Sequence, residues 1–277
     1  VRGFFYAPPE RPDAMNKHTY RKGFAAACIA LAHLTSAAQQ LQATAPSAGA
    51  PRGAYISPLL PGHHRVTLNG IATHYEVVGE GPLLVIQAPS WGIGSAYLLN
   101  GLAELSKRFT LLAYDVPGSG ASDKPAGEYK LTSTEIADHL EALRQYLKRE
   151  QIDLLGHSQG SALAITYASR YPEHVRRLVL VGSQLYGYPG NEKTNSKTCT
   201  VVANDQLPDS LPLIKARTLV IDGLQDPVCP PVVSARIKQG IPGAKLLIYE
   251  NTGHFPWIEQ AGRFFPDVSG FLLDSSF

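Results

Sequence analysis

From residue 63 onward, apolar residues recur in two rhythms, one of period two or unbroken and one near 3.6. Residues 65–69 and 71–78 alternate apolar and polar positions on either side of Asn69-Gly70, the pattern of an antiparallel hairpin closed by a two-residue turn. Residues 83–87, 109–114, 151–155, 175–181, 218–222 and 245–250 are short apolar runs of the length buried strands take. Helical spacing runs through 94–107, 132–149, 159–171 and 264–273. In the second of these, Thr132 and Glu135 are spaced as a capping box, and Ile136, Leu140, Leu143 and Leu147 fall on one face. Buried strands alternating with helices predict an α/β fold, with a mostly parallel central sheet, helices on both faces and an N-terminal antiparallel hairpin. Ligands of such sheets bind beyond the carboxyl ends of the strands.

Upstream of this series the pattern changes. Residues 1–14 show no periodicity. Lys17, His18, Arg21 and Lys22 then follow Met15 and precede an apolar run at 24–34, which ends in Thr35-Ser36-Ala37-Ala38. A basic start, a short apolar centre and small residues at the end form the pattern of a secretory signal peptide, here with cleavage after Ala38. It predicts a secreted or periplasmic protein without stable membrane insertion, because the run is too short to cross a bilayer. Residues 1–38 are thus an extension and signal, 39–62 an Ala/Pro/Gly linker, and 63–277 the folded domain.

Composition narrows the chemistry. A chain of 277 residues, 44% hydrophobic and 17% charged, can bury one large core. A net charge of +2 gives no reason to expect nucleic acid as a partner. There is no phosphate-binding P-loop, no dinucleotide glycine fingerprint and no Cys/His spacing suited to zinc, so no cofactor or metal is expected and side chains must do the work. Loss of the signal would remove Cys28 and leave Cys199 and Cys229, either as a disulfide in an oxidising compartment or as two buried thiols.

One stretch carries strong chemical information. Gly156-His157-Ser158-Gln159-Gly160 joins an apolar strand to a helix, the arrangement in which a strained turn lifts a serine hydroxyl clear of a sheet. A serine needs a base to take its proton, and the base needs an orienting acid. His254, after the last strand, is the expected base. Asp226, in the loop after residues 218–222, is the expected acid, with Asp222 as a competitor placed inside the strand.

These motifs resemble those of the α/β-hydrolase superfamily, in its branch of small serine esterases and proline-iminopeptidase-like enzymes. Asp115-Val116-Pro117-Gly118-Ser119-Gly120-Ala121-Ser122 is similar to that family's segment after the fourth strand. Gly156–Gly160 matches its nucleophile elbow, Gly223–Asp226 its acid loop, and Gly253-His254-Phe255 its histidine loop. The resemblance implies a Ser158, Asp226, His254 triad acting on a small-molecule ester or acyl substrate. It also implies an oxyanion hole made by the backbone N–H of Gln159 and one from Ser90 or Trp91. The chain departs from the family at Ala88-Pro89-Ser90-Trp91, since Pro89 cannot donate. The cap position, 182–216, is short and broken by Pro189-Gly190 and Pro208-Asp209, which leaves a minimal lid. Three alternatives stay open: an aminopeptidase using Glu192, Asp205 or Asp209 to hold an ammonium group, a C–C bond hydrolase, and a non-catalytic binding protein.

Overall fold

The computed structural model describes residues 57–90, 92–125, 131–185 and 207–274. The expected signal, most of the linker, Trp91, Cys28, Cys199, Glu192, Asp205 and most of the expected lid lie outside the described residues.

Eight strands form one sheet: β1 (Gly62–Leu68), β2 (Ile71–Val78), β3 (Leu83–Gln87), β4 (Thr110–Tyr114), β5 (Ile152–His157), β6 (Val175–Val181), β7 (Arg217–Gly223) and β8 (Lys245–Tyr249). Their order is β1-β2-β4-β3-β5-β6-β7-β8. β2 runs antiparallel to β1 and β4, and all other neighbours are parallel. The sheet is therefore the expected one. At the hairpin, Asn69 and Gly70 take φ of 48° and 79°, as a two-residue turn matched to strand twist requires, and Leu68 faces Ile71.

The helices are α1 (Ala96–Gly101), α2 (Ser133–Tyr146), α3 (Gln159–Arg170), α4 (Leu207–Ser210), α5 (Pro231–Gly240), α6 (Pro256–Glu259) and α7 (Ala261–Leu273). The α2 capping box forms in full: Glu135 N–H donates to Thr132 Oγ1 at 3.2 Å, and Thr132 N–H donates to Glu135 Oε2 at 2.7 Å. The helix stops short of Arg149 because Lys148 turns left-handed, with φ of 53°. Helix α5 is absent from the sequence reading. It opens on Pro230-Pro231 and buries only Ser234 and Ile237 among its residues, too thin a stripe for periodicity to show.

Two apolar clusters sandwich the sheet. One joins Ile136, Leu140 and Leu163 from α2 and α3 with Ile237 from α5; the other joins Tyr97 and Leu98 from α1 with Phe264 and Phe271 from α7. Residues 207–216, the end of the expected lid segment, contribute Leu207, Leu211, Ile214 and Ala216 to the first cluster. Burial of each of the leucine and isoleucine side chains stabilises by about 1.5–3 kcal/mol, which anchors this stretch to the core. No helix among the described residues is long and apolar enough to cross a membrane.

Candidate active site

Central strand β5 runs directly into α3, and Ser158 sits at the joint. Its φ of 56° and ψ of −125° belong to a region L-residues avoid. The turn is possible because its flanks lack side chains. A Cβ on Gly156 would lie 2.6 Å from the Gly160 carbonyl oxygen, and one on Gly160 would strike the Gln87 carbonyl of β3. The turn is braced from behind: Ser161 Oγ donates to the Ser158 carbonyl at 2.5 Å and accepts from Gln184 N–H at 3.0 Å. Ser158 Oγ is buried with no nitrogen or oxygen partner among the described residues and faces the Cys229 thiol, a weak partner.

The loops after β7 and β8 bring Asp226 and His254 together across 28 residues of sequence. His254 Nδ1 lies 2.7 Å from Asp226 Oδ2, with both side chains buried. The other carboxylate oxygen, Oδ1, accepts N–H bonds from Val228 at 2.7 Å and Cys229 at 2.9 Å. With Nδ1–H donated to the acid, Nε2 of the neutral ring is left as the proton acceptor.

Several contacts escaped the motif reading. His157, the variable residue of the elbow, is wholly buried and touches the His254 main chain, its Nε2 lying 3.0 Å from that carbonyl oxygen. Tyr97 lies 3.3 Å from Nδ1 of the same ring, and the Trp257 ring meets it edge-on at 4.6 Å. Burial, together with the nearby His254, pushes the His157 imidazole far below its ordinary pKa, so it is a neutral strut. Cys229 is a buried free thiol whose pKa is raised, by burial first and then by the charge of Asp226.

The segment after β4 owes its form to Asp115. Oδ1 accepts the Ser95 N–H and hydroxyl at 2.7 and 2.8 Å; Oδ2 accepts the Ala121 N–H at 2.9 Å and lies 2.9 Å from His74 Nδ1. Burial opposes its charge, but these partners outweigh it and hold the carboxyl below its ordinary pKa. Gly92 N–H donates to Ser119 Oγ at 3.1 Å. The turn after β4 thus pins the 88–95 loop beside the elbow.

In that loop, Ser90 stands against Gln159. The Gln159 side-chain oxygen, Oε1, accepts the Ser90 N–H at 3.0 Å and the Ser90 hydroxyl at 3.3 Å. The Ser90 N–H, one of the two expected to face a substrate oxygen, is therefore held by an amide carbonyl of the protein itself. Sequence spacing carries no sign of this, because the two residues are 69 positions apart. Asp209 is exposed on α4. Among the described residues no group of three His, Cys, Asp or Glu side chains is disposed to hold a metal ion.

Gly182, directly after β6, has φ of 50°, and a Cβ there would sit 3.1 Å from His254 Nδ1 and 3.3 Å from Asp226 Oδ2. Replacement by alanine is expected to push the imidazole and to strain the backbone. The contact asks the ring to give by a few tenths of an ångström, less than the displacement of about 1 Å that costs on the order of 100-fold in rate at a reacting group. With His254 as a catalytic base, Gly182→Ala should therefore lower kcat on a nitrophenyl ester by less than about 100-fold while its circular dichroism spectrum stays unchanged; undiminished kcat would show that the ring has room to spare.

The model for the alpha/beta hydrolase fold matches residues 89–196, and that for TAP-like protein matches residues 190–276. The serine hydrolase BPHL of Mus musculus is 28% identical over 252 residues, covering 75% of this chain and 85% of the relative. A 2-hydroxymuconate semialdehyde hydrolase of Pseudomonas sp. strain CF600 is 27% identical over 261 residues, covering 74% and 92%. Among solved structures, the enol-lactonase of Burkholderia xenovorans superposes with a TM-score of 0.67 at 23% identity, covering 76% of this chain and all of the other. Sheet order, elbow geometry and the family model for the alpha/beta hydrolase fold agree, and the chain has the α/β-hydrolase fold.

Proposed function

We propose that the protein is a serine hydrolase that cleaves carboxylic ester or related acyl bonds through an acyl-enzyme on Ser158. The observation that carries this reading is the placement of a strained, buried serine at the elbow together with a hydrogen-bonded His254–Asp226 pair at neighbouring strand ends. In the reaction, Ser158 Oγ attacks the acyl carbon as its proton passes to His254 Nε2. The bond to the leaving alkoxide then breaks, and the alkoxide takes the proton from His254. A water, deprotonated by the same nitrogen, attacks the acyl-serine, releases the acid and returns the proton to Ser158. Asp226 holds the ring in orientation and stabilises its charged form. The backbone N–H of Gln159, with Ser90 as the second donor, faces the developing oxyanion. At Ser90 that oxyanion competes with the Gln159 side-chain oxygen, which must move aside for the second bond to form.

The comparisons favour a second reading within the same fold, hydrolysis of a C–C bond, because one relative is a 2-hydroxymuconate semialdehyde hydrolase. Rapid mixing with p-nitrophenyl acetate and butyrate separates the two. Esterase chemistry predicts a nitrophenolate burst close to one per protein, followed by slower turnover. A folded protein that gives neither burst nor turnover with esters, yet cleaves a vinylogous diketone, would establish the C–C reading instead.

A further inference from the structure

Behind the His254–Asp226 pair lies a second carboxyl that the mechanism above does not use. Asp222, next to the last residue of β7, is completely buried. Its Oδ1 accepts the Gly223 N–H at 2.8 Å and its Oδ2 accepts the Ser234 hydroxyl of α5 at 2.6 Å. Its carboxyl is also in hydrogen-bonding contact with that of Asp226. Among the described residues no ion pair reaches Asp222, and the one that reaches Asp226 is His254.

Counting donors decides what passes between the two carboxyls. A carboxylate offers about four lone-pair sites. On Asp226, Val228 N–H, Cys229 N–H and His254 take three of them. The remaining side meets another carboxyl. Two carboxylates in contact, out of water, repel strongly unless a proton lies between them. We propose that Asp222 is a positioning residue of the His254–Asp226 pair, holding a proton that it donates in a hydrogen bond to the Asp226 carboxylate.

The proton belongs on Asp222 because Asp226 has the stronger claim to the charge, with two backbone N–H donors and an imidazole. Burial pushes the Asp222 carboxyl up to about 8; the Asp226 charge adds to this, and the Ser234 and Gly223 donors oppose it. The other titratable groups around the pair are His254, on the far side of Asp226, and Cys229, which burial keeps as a neutral thiol. From α5 the contact is Ser234, which carries no charge. In this state the two carboxyls together carry one negative charge, matched to the single positive charge His254 acquires in the transition state. Asp226 is held from both sides, so Oδ2 stays aimed at the ring. Above the titration point the donor is lost and the acid loses that support.

The inference rests on His254 and Asp226 acting as the base and its orienting acid, but its test needs no substrate. Infrared difference spectra of the full chain between pH 5 and 10 should show a protonated-carboxyl C=O band that persists at pH 7 and titrates near 8. The band should vanish in Asp222→Asn, and its midpoint should move to lower pH in Asp226→Asn. A low-field proton resonance from His254 Nδ1–H should be retained in Asp222→Asn, whose amide can donate as the acid does, and be shifted or broadened in Asp222→Ala. Three results would overturn the proposal: no protonated band at pH 7, a band that survives Asp222→Asn, or a midpoint indifferent to Asp226. An Asp222→Ala resonance identical to the wild type would likewise remove the positioning role. Absence of ester hydrolysis with these spectra intact would instead count against the proposed function alone.

Discussion

Ser158→Ala should abolish the nitrophenolate burst and lower kcat on p-nitrophenyl acetate by on the order of 10⁴–10⁶-fold, the scale on which loss of a serine nucleophile acts in enzymes of this mechanism. The residual rate would come from the oxyanion donors and from substrate binding. The same position makes a second expectation possible that separates chemistry from folding. Ser158 is held at φ of 56° and ψ of −125°, a conformation that costs a residue with a Cβ about 1–3 kcal/mol. Alanine keeps that strain and glycine relieves it, less the roughly 0.5–1 kcal/mol that glycine loses by being freer in the unfolded chain. Ser158→Gly should accordingly be as inactive as Ser158→Ala but more stable than it, by about 1 kcal/mol in a urea titration. Strain kept at the nucleophile would then be a cost the fold carries for function. Equal stability of the two variants would limit the strain to the roughly 0.5–1 kcal/mol that glycine loses in the unfolded chain, and an active Ser158→Ala protein would end the serine mechanism altogether.

Local patterns carried the framework far. Apolar runs gave the strands of the sheet to within a residue or two in most cases, Asn69-Gly70 gave the hairpin, and Thr132 with Glu135 gave a helix start that forms in full. Each of these signals is set by neighbours in sequence. The elbow was legible for the same reason, since Gly156 and Gly160 flank Ser158 within one turn. What stayed hidden depends on contacts between loops that the sheet brings together. Nothing near Gly182 announces that its missing Cβ makes room for His254, and nothing near Ser90 announces that Gln159 holds its N–H. Asp222 shows the limit most clearly. In sequence it reads as a rival to Asp226. In space the two carboxyls meet, out of water. Helix α5, which supplies the Ser234 hydroxyl to Asp222, gave too thin an apolar stripe to be seen.

The raised Asp222 carboxyl adds its own contribution to the pH dependence of folding. Asp222 is expected to make the protein less stable as pH rises from about 4 to about 8, and Asp222→Asn is expected to remove that decline. The sign follows from proton counting. The carboxyl has an ordinary value of 3.8 and is raised to about 8 in the folded protein. Between those limits the folded state keeps a proton that the unfolded chain has released, so each step up in pH favours unfolding. Below about 4 both states hold the proton and the residue is neutral to stability. Above about 8 both have lost it and the loss is complete, on the order of a few kcal/mol for a shift of this size. The amide of asparagine has nearly the same shape. Its oxygen can accept the Gly223 N–H, its nitrogen can donate to Asp226, and the Ser234 hydroxyl can turn to accept its second N–H. Urea midpoints at pH 5, 7 and 9 should therefore show Asp222→Asn close to the wild type at pH 5 and progressively more stable above it. A constant offset across the three pH values would mean that Asp222 is ionised throughout, and a variant that weakens as pH rises would reverse the sign and place the proton elsewhere.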